Sequence, residues 1–234
     1  MLNGVQNISF GKIKAKKHIV QHPNSPVSPE FIREMSEGIE SLGTVGEKVI
    51  KKEKLKFHLA QKTSGAFPEL KYTHPRGWST GKTYDNVPAL SSPKGIGLFE
   101  KPINQRKAGI SDIRHEVGHK LHRMFNKIIG CEFIDTQGFT DVYLKDMQNF
   151  SEKLKKYGKK VKDADFYMNY LVQESTRTNA TKVGKREAFT EICAKLYGGS
   201  VLETYSKGMD KLIDKCFPNT VEYVKKFLWL MGKR

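Results

Sequence analysis

Two histidines four residues apart are the side chains of this sequence best suited to chemistry. They belong to the segment His115-Glu116-Val117-Gly118-His119, and on a helix their imidazoles project from one face, about one turn apart. That spacing suits two nitrogen ligands of a tetrahedral zinc ion. Glu116 lies where a general base would hold the metal's water, as in the H-E-x-x-H pattern. The segment therefore predicts one Zn²⁺ per chain, with His115 and His119 as ligands and Glu116 as the catalytic base. The competing interpretation is a surface helix whose histidines are four apart by chance.

A third protein ligand is expected from elsewhere, because catalytic zinc sites usually hold three protein ligands and one open position. The longer motif with a glycine and a third histidine is excluded, since His122 and Phe125 stand at those positions. Glu187 and Glu191 share a helix face beside an apolar stripe, and a desolvated carboxylate needs a compensating charge. We expect Glu187 to bind the metal and Glu191 to accept a hydrogen bond from a ligand's far nitrogen. Asp141 is the rival third ligand, and a solvated Glu-x-x-x-Glu face is the alternative for the pair.

The elements that must position these residues are mostly helical. Ser111-Asp112 predicts the cap of a helix that runs to about residue 126 and carries the histidines. Before it, residues 57–104 predict short strands, such as Glu69-Leu70-Lys71-Tyr72 and Gly95–Glu100, in a small antiparallel or mixed sheet. After it, helices are predicted at roughly 141–157, 163–173, 185–197, 202–216 and 220–232. Strands followed by helices indicate an α+β fold, with the sheet packed on the H-E-x-x-H helix and a mostly helical C-terminal half.

The first 56 residues are interpreted as an N-terminal extension, and residues 57–234 as the catalytic domain. The extension is expected to be loosely structured to about residue 28. Ser28-Pro29-Glu30 then predicts a helix start, with an N-cap, a proline in the first turn and an acid behind it. A helix or a strand is expected over residues 47–59.

The pair of motifs resembles a known family. His115–His119, followed by Glu187-Ala188-Phe189-Thr190-Glu191, is similar to the catalytic domain of the anthrax lethal factor-like zinc metallopeptidases, a gluzincin-type group that includes proline-specific clostridial endopeptidases. Residues 217–224 resemble the closing turn and helix of this family, and residues 83–99 resemble its sheet-edge hairpin in the kinds of residues present. The resemblance covers roughly residues 60–234. The resemblance implies a zincin-like fold, an endopeptidase activity and Glu187 as the third ligand.

One residue that this family uses is missing from its expected position. Its members usually carry a tyrosine shortly before the third ligand, whose hydroxyl hydrogen-bonds the oxyanion, and Ala180 stands there in this chain. The resemblance therefore leaves Tyr167, Tyr170 and Tyr197 as candidates for that role. His122, one turn after His119, is expected at the rim of the site or exposed, because a third ligand on the same helix would crowd the metal.

Composition limits the class of protein and its partners. With 38% hydrophobic residues and no long apolar run, the chain is expected to be a globular protein with no transmembrane segment. Its first twenty residues lack the pattern of a secretory signal, which predicts a cytoplasmic location or export without such a signal. Three widely spaced cysteines predict reduced thiols rather than a disulfide framework or a cysteine zinc site.

The predicted function is a zinc-dependent endopeptidase that cleaves a protein or peptide by Glu116-assisted attack of zinc-bound water. The 83–100 hairpin is expected to pair with an extended substrate. A formal net charge of +16 favours acidic substrates and motivates one alternative, a nucleic-acid-associated protein or DNA-dependent protease. No nucleic-acid-binding motif accompanies that charge. A catalytically inactive zincin that binds a partner is the other alternative, favoured by Ala180.

Overall fold

The computed structural model describes residues 13–75, 81–172 and 181–233. The chain divides into two compact units, Met1–Ile113 and Arg114–Arg234. Among the described residues the strands belong to the first unit, while the second unit is helical. The architecture is α+β, with a small mixed sheet and a mostly helical C-terminal half, which confirms the fold class predicted from the sequence.

The first unit combines four short strands with helices on the intervening segments. Its helices are α1 (Pro29–Glu40), α2 (Gly43–Lys52) and α3 (Thr63–Ala66), and α4 (Ile110–Ile129) begins here and continues into the second unit. Its strands are β1 (Ile19–Gln21), β2 (Phe57–Ala60), β3 (Ala89–Ser92) and β4 (Gly95–Phe99). Single 3-10 turns occupy Ala15–Lys17, Pro68–Leu70 and Tyr84–Asn86.

The sheet has the strand order β1-β2-β4-β3 and is mixed. Strand β2 pairs in parallel with β1 and with β4, while β3 and β4 form an antiparallel hairpin with Leu90 opposite Gly97. Strand β1 lies in a stretch that was expected to be loosely structured, and that expectation is wrong at these three residues. A strand of three residues is too short to show an alternation of apolar and polar side chains, and its partner strand β2 is far away in sequence. The domain boundary near residue 57 stays a prediction.

The hairpin and α1 agree with the sequence, whereas one expected strand does not exist. Residues 69–72 form a 3-10 turn and a further turn instead, with the N–H of Leu70 donating to the Phe67 carbonyl at 3.0 Å. The chain turns there because Phe67 is buried in a cluster with Ala60, Val87, Leu90 and Phe99. Strand β3 lies at an edge of the sheet, and its pairing with an extended substrate stays a prediction.

Helix α1 starts at the predicted cap. The Ser28 hydroxyl accepts a hydrogen bond from the Phe31 N–H at 3.2 Å, and Pro29 is the first helical residue. Phe31, Met35 and Ile39 form its buried face. The helix-or-strand alternative over 47–59 resolves into both elements, because α2 ends at Lys52 and β2 begins at Phe57.

The second unit consists of short helices. They are α5 (Gln137–Met147), α6 (Phe150–Tyr157), α7 (Ala164–Val172), α8 (Lys182–Leu196), α9 (Val201–Tyr205), α10 (Met209–Cys216) and α11 (Pro218–Lys233), with 3-10 turns at Phe133–Asp135 and Gly158–Lys160. The single helices predicted at 141–157 and 202–216 are each two helices. Asn149 (φ 63°) and Gly208 (φ 97°) adopt left-handed backbone conformations, which end one helix before the next begins.

An aromatic core and one buried carboxylate organise the second unit. Phe133 packs against Phe139 and Phe189, with ring centres 5.7 Å and 5.3 Å apart. Asp146 is fully buried and accepts hydrogen bonds from the backbone and side chains of both Asn219 and Thr220. Because these residues lie in the first turn of α11, Asp146 satisfies its free N–H groups and joins α5 to α11.

Two further expectations concern the whole chain. In the described parts of the chain, no helix is long and apolar enough to cross a membrane. All three cysteines are free, with Cys131 exposed and Cys193 and Cys216 buried. Burial raises the pKa of the Cys193 thiol well above its usual value, so the thiol stays protonated and this side chain packs as a small apolar residue.

Candidate metal centre and active site

Helix α4 carries the two histidines and spans Ile110–Ile129, so it begins before the predicted cap at Ser111-Asp112 and ends after the predicted residue 126. Gly109 precedes it, and the Asp112 carboxylate accepts the Gly109 N–H at 2.8 Å, so Asp112 closes the first turn. Arg106 holds the same carboxylate through two hydrogen bonds of 2.6 Å and 2.9 Å. The apolar stripe of α4 is buried as expected, at Ile113, Val117, Leu121, Met124 and Phe125. This burial sets the rotation of the helix and thereby the direction of its histidines.

A glycine between the histidines lets α8 approach α4 closely. A Cβ atom on Gly118 would lie 3.0 Å from Thr190 Cγ2 and 3.3 Å from Thr190 Cα. Helix α8 is capped by Thr181, whose hydroxyl accepts the Gly184 N–H at 3.1 Å. The close contact at Gly118 brings Glu187 and Glu191 of α8 to the histidines of α4.

His115, His119 and Glu187 form one group that could hold a metal ion. Their ligand atoms all lie within 4.8 Å of one another. The two Nε2 atoms are 3.1 Å apart, and Glu187 Oε2 is 3.5 Å from His115 Nε2 and 3.7 Å from His119 Nε2. Tetrahedral zinc with bonds of about 2.0–2.1 Å separates its ligand atoms by roughly 3.3–3.4 Å. The three distances bracket that value, so the donor set and its spacing fit zinc.

Polar neighbours on the far sides of the imidazoles accompany the orientation of both Nε2 atoms toward the centre of this group. Thr190 Oγ1 donates its only proton to the Arg186 carbonyl at 2.8 Å, so it accepts from His119 Nδ1 at 3.3 Å. His119 then keeps the lone pair of Nε2 free for a metal. His115 Nδ1 lies 3.0 Å from Glu191 Oε1, although not aligned as a straight hydrogen bond. The other oxygen of Glu191 accepts the Val201 N–H at 3.0 Å.

The charges around the group favour a bound cation. Burial disfavours the charged form of His115, but Glu191, Glu116 and Glu187 outweigh it and raise its pKa to about 10. Burial lowers the pKa of His119 to about 4, with Glu187 opposing this shift and His115 adding to it. Burial also disfavours the Glu187 carboxylate, yet the two imidazoles and Tyr170 lower its pKa. Three carboxyl groups thus surround two buried imidazoles, an arrangement that a divalent cation would stabilise.

Glu116 and Tyr170 are the remaining polar groups of the site. Glu116 is 8% exposed and lies close enough to act electrostatically on both His115 and Tyr170. The Tyr170 hydroxyl donates to Glu187 Oε2 at 2.6 Å. Burial of that hydroxyl and the Glu187 charge raise the pKa of Tyr170 well above its usual value, so it remains a hydrogen-bond donor.

The other two tyrosines that are candidates for the oxyanion make different contacts. Tyr167 stacks on Tyr205, with ring centres 5.9 Å apart. The Tyr197 hydroxyl is buried with no hydrogen-bond partner among the described residues. Ala180, which stands at the position of the expected tyrosine, lies outside the described residues.

Two further candidates are also separate from the ligand group. His122 is 2% exposed, packs against Phe189 at 5.8 Å, and has Nε2 3.4 Å from Glu132 Oε2. It is therefore buried rather than exposed at a rim. Asp141 accepts a hydrogen bond from Gln137 on the exposed side of α5. Within 13–75, 81–172 and 181–233, His115, His119 and Glu187 are the one such ligand group, and it does not include Asp141.

Two residues of the site had no role in the sequence interpretation. Thr190 orients His119, and its position three residues after Glu187 on a helix could have indicated this. Gly184 lies where α8 crosses the end of α7, and a Cβ there would collide with the Val172 carbonyl. A glycine in the first turn of a helix was the available signal, and its effect is to let Tyr170 reach Glu187.

Comparison with known proteins supports the fold. No protein-family model matches the sequence, and no curated protein matches it. The structure is similar to that of the Pro-Pro endopeptidase PPEP-2 from Paenibacillus alvei, with a TM-score of 0.54 and 19% sequence identity. The match covers 92% of this chain and 100% of that one. At this identity the likeness concerns the fold, and it does not extend to the lethal factor-like assignment made from the motifs.

Proposed function

We propose that this protein is a zinc-dependent endopeptidase with its catalytic centre at His115, His119, Glu187 and Glu116. The observation that carries the proposal is the convergence of three ligand atoms at tetrahedral spacing, with a buried glutamate next to the first histidine. The similarity in fold to a Pro-Pro endopeptidase supports the same conclusion. If the two histidines were four residues apart by chance, a third potential ligand and two polar partners would not be expected around them.

The residues divide the work of peptide hydrolysis. His115, His119 and Glu187 would hold one zinc ion, while Glu191 and Thr190 keep the imidazoles in orientation. Bound there, zinc would polarise the scissile carbonyl and lower the pKa of water toward about 7. Glu116 accepts the proton of the attacking water and delivers it to the leaving amine. The same carboxyl group thus acts first as general base and then as general acid.

Tyr170 is the residue we assign to the developing oxyanion. Its hydroxyl touches Glu187 Oε2, and it remains protonated because its pKa is raised. This hydroxyl is a hydrogen-bond donor at the candidate ligand group, and such donors stabilise the negative charge that develops on the carbonyl oxygen. The tyrosine expected from the motif resemblance is therefore replaced by one that comes from α7.

The name of the similar structure suggests the first substrates to test. PPEP-2 is a Pro-Pro endopeptidase, and we propose that peptides with adjacent prolines are cleaved here as well. The physiological partner would be a protein or peptide that presents such a bond.

Glu116→Gln tests the proposal together with zinc content. Wild-type protein purified without added metal should contain close to one zinc per chain and should cleave members of a proline-containing peptide library. The Glu116→Gln variant should keep its zinc and lose nearly all turnover, because amide and carboxylate have the same shape but only the carboxylate accepts a proton. A chain that takes up no zinc at neutral pH would sink the proposal. Zinc uptake without any cleavage would instead favour an inactive zincin.

A further inference from the structure

A strongly basic segment lies on the surface of the second unit. Six lysines and no acidic residue lie between positions 153 and 162. Five of the six are exposed, on α6 and the turn that follows it. Three more exposed lysines, Lys207, Lys211 and Lys215, lie on α10 and just before it.

The two groups of lysines adjoin in the folded chain. Lys156 and Lys215 place their ammonium groups 5.1 Å and 5.8 Å from the centre of the Tyr157 ring. Ser206 donates to the Lys162 carbonyl at 2.6 Å, which brings the segment before α10 against the end of the first group. We call this surface the lysine face, and it comprises Lys155, Lys156, Lys159, Lys160, Lys162, Lys207, Lys211 and Lys215.

The charge of the lysine face is not neutralised by the described residues. None of its lysines forms an ion pair with another residue in the described parts of the chain. Of the nearby acids, Asp214 pairs with Lys195 at 2.8 Å, and Glu203 accepts the N–H groups of Gly208 and Asp210. The exposed acids beside it are fewer than its lysines, and they are Glu152, Asp163, Asp165 and Asp214. The face therefore attracts polyanions over a range set by the screening length of the solution.

Exposed aromatic rings lie next to the lysine face. Phe166 is 74% exposed and meets Tyr167 edge-on, with ring centres 5.3 Å apart. Tyr167 stacks on Tyr205, which is itself 38% exposed and directly precedes Ser206. We call these three residues the aromatic ladder. Tyr205 is followed in the chain by Ser206, whose hydroxyl donates to the carbonyl of Lys162. The aromatic ladder is therefore continuous with the lysine face.

The aromatic ladder leads to the candidate metal centre. Phe166 and Tyr170 are four residues apart on α7 and share a helix face. The Tyr170 hydroxyl is 2.6 Å from Glu187 Oε2. A polypeptide that is bound near Glu187 could thus continue along α7 over the aromatic rings and reach the lysines.

We propose that the lysine face and the aromatic ladder bind an acidic segment of the polypeptide substrate, away from the bond that is cleaved. This inference rests on the proposed peptidase function. Continuity with the metal centre favours a substrate segment over a separate partner. Nucleic acid is less suitable, because Tyr167 and Tyr205 stack on each other and ammonium groups cover Tyr157, which leaves few ring faces for bases.

Direct binding tests this surface without requiring turnover. The full-length Glu116→Gln protein, loaded with zinc, is titrated with fluorescein-labelled oligoglutamate and with oligoserine of equal length, by anisotropy. Oligoglutamate should bind at least about tenfold more tightly at low salt, and the difference should shrink at high salt. The double variant Lys156→Glu/Lys215→Glu should bind oligoglutamate about tenfold more weakly than the protein with both lysines.

The matched control is Lys225→Glu/Lys226→Glu on α11, which removes the same charge from another exposed site. It should change oligoglutamate affinity by less than about threefold. Melting temperatures of both variants establish that they are folded. Equal losses in the two variants would show a non-specific charge effect and overturn the proposal. Tighter binding of duplex DNA or of anionic vesicles than of oligoglutamate, through the same lysines, would also overturn it.

Kinetics then connect the surface to catalysis. A cleaved library peptide is extended with either glutamates or serines beyond the cleaved bond. The glutamate extension should lower KM with little change in kcat, and Lys156→Glu/Lys215→Glu should raise that KM to the value of the serine peptide. If no peptide is cleaved, the proposed function fails, while the anisotropy result still decides whether an acidic polypeptide binds.

Discussion

Each histidine of the candidate centre depends on one neighbour that holds its ring. Thr190 accepts from His119 Nδ1, and Glu191 lies 3.0 Å from His115 Nδ1. Such partners select the tautomer that presents Nε2 to a metal, so they contribute to affinity without touching the ion. The third candidate ligand, Glu187, accepts a hydrogen bond from the Tyr170 hydroxyl at 2.6 Å.

Substitution of the third ligand distinguishes Glu187 from its rival. Glu187→Ala removes one of three donors and should reduce zinc retention after dialysis by at least about tenfold. Asp141→Ala should leave zinc content unchanged, because Asp141 lies on the exposed side of α5. Elemental analysis of both dialysed proteins measures this. Loss of zinc from the Asp141 variant alone would show that the assignment is wrong.

Tyr170→Phe separates catalysis from metal binding. The phenyl ring keeps the packing of α7 and removes one hydroxyl donor, so zinc content should stay near that of the wild type. Loss of one oxyanion donor typically lowers kcat by about 10²–10³. Turnover of a library peptide by Tyr197→Phe provides the matched control, since the Tyr197 hydroxyl is buried with no hydrogen-bond partner among the described residues. A larger loss in the Tyr197 variant would move the role to that residue.

At the scale of elements, the centre is a crossing of two helices. Helix α4 supplies the histidines and Glu116, and α8 supplies Glu187, Thr190 and Glu191. Glycines at Gly118 and Gly184 permit the close approaches on which the geometry depends. The spacing of the candidate ligand atoms therefore depends on how closely α4 and α8 approach each other, as well as on the identity of the side chains.

Enlarging Gly118 should widen that crossing. A Cβ would lie 3.0 Å from Thr190 Cγ2, so Gly118→Ala requires a small shift and Gly118→Val a larger one. We expect zinc affinity to fall by about tenfold or more in the valine variant and by less in the alanine variant, since overpacking typically costs about 1–3 kcal/mol. Competition with a chromogenic chelator measures both. Wild-type affinity in Gly118→Val would contradict the role given to this contact.

At the scale of the whole molecule, the three candidate ligands all belong to the second unit. A ligand that binds only the folded chain stabilises it in proportion to the logarithm of its concentration. Zinc binding and folding of this unit should therefore be linked.

Zinc should raise the melting temperature. At one hundred times its dissociation constant the stabilisation is about 2.7 kcal/mol, which corresponds to roughly 5–10 °C for a chain of this size. Differential scanning fluorimetry with and without chelator measures the shift. Glu116→Gln should show the same rise and His119→Ala none. A rise in His119→Ala equal to that of the wild type would mean that the stabilising ion binds elsewhere.

The sequence by itself predicted the candidate ligands and the class of the fold, and the structure confirms the fold class. Histidine spacing, the apolar stripe of α4 and the two glutamates of α8 are local patterns, and a helix converts such spacing directly into a shared face. The Ser28 cap and the β3–β4 hairpin were predictable for the same reason. The breaks at Asn149 and Gly208 were not, because a left-handed residue leaves only a weak mark on a helical pattern.

Only the tertiary structure decided which distant residues meet. The parallel pairing of β1, the reach of Tyr170 to Glu187 and the burial of His122 each join segments that are separated in sequence. These contacts depend on how helices and strands pack, and packing depends on the shape of every side chain at the contact. Local periodicity carries no information about packing. The candidate ligands could therefore be predicted from the sequence, whereas the residues that contact them could be identified only from the fold.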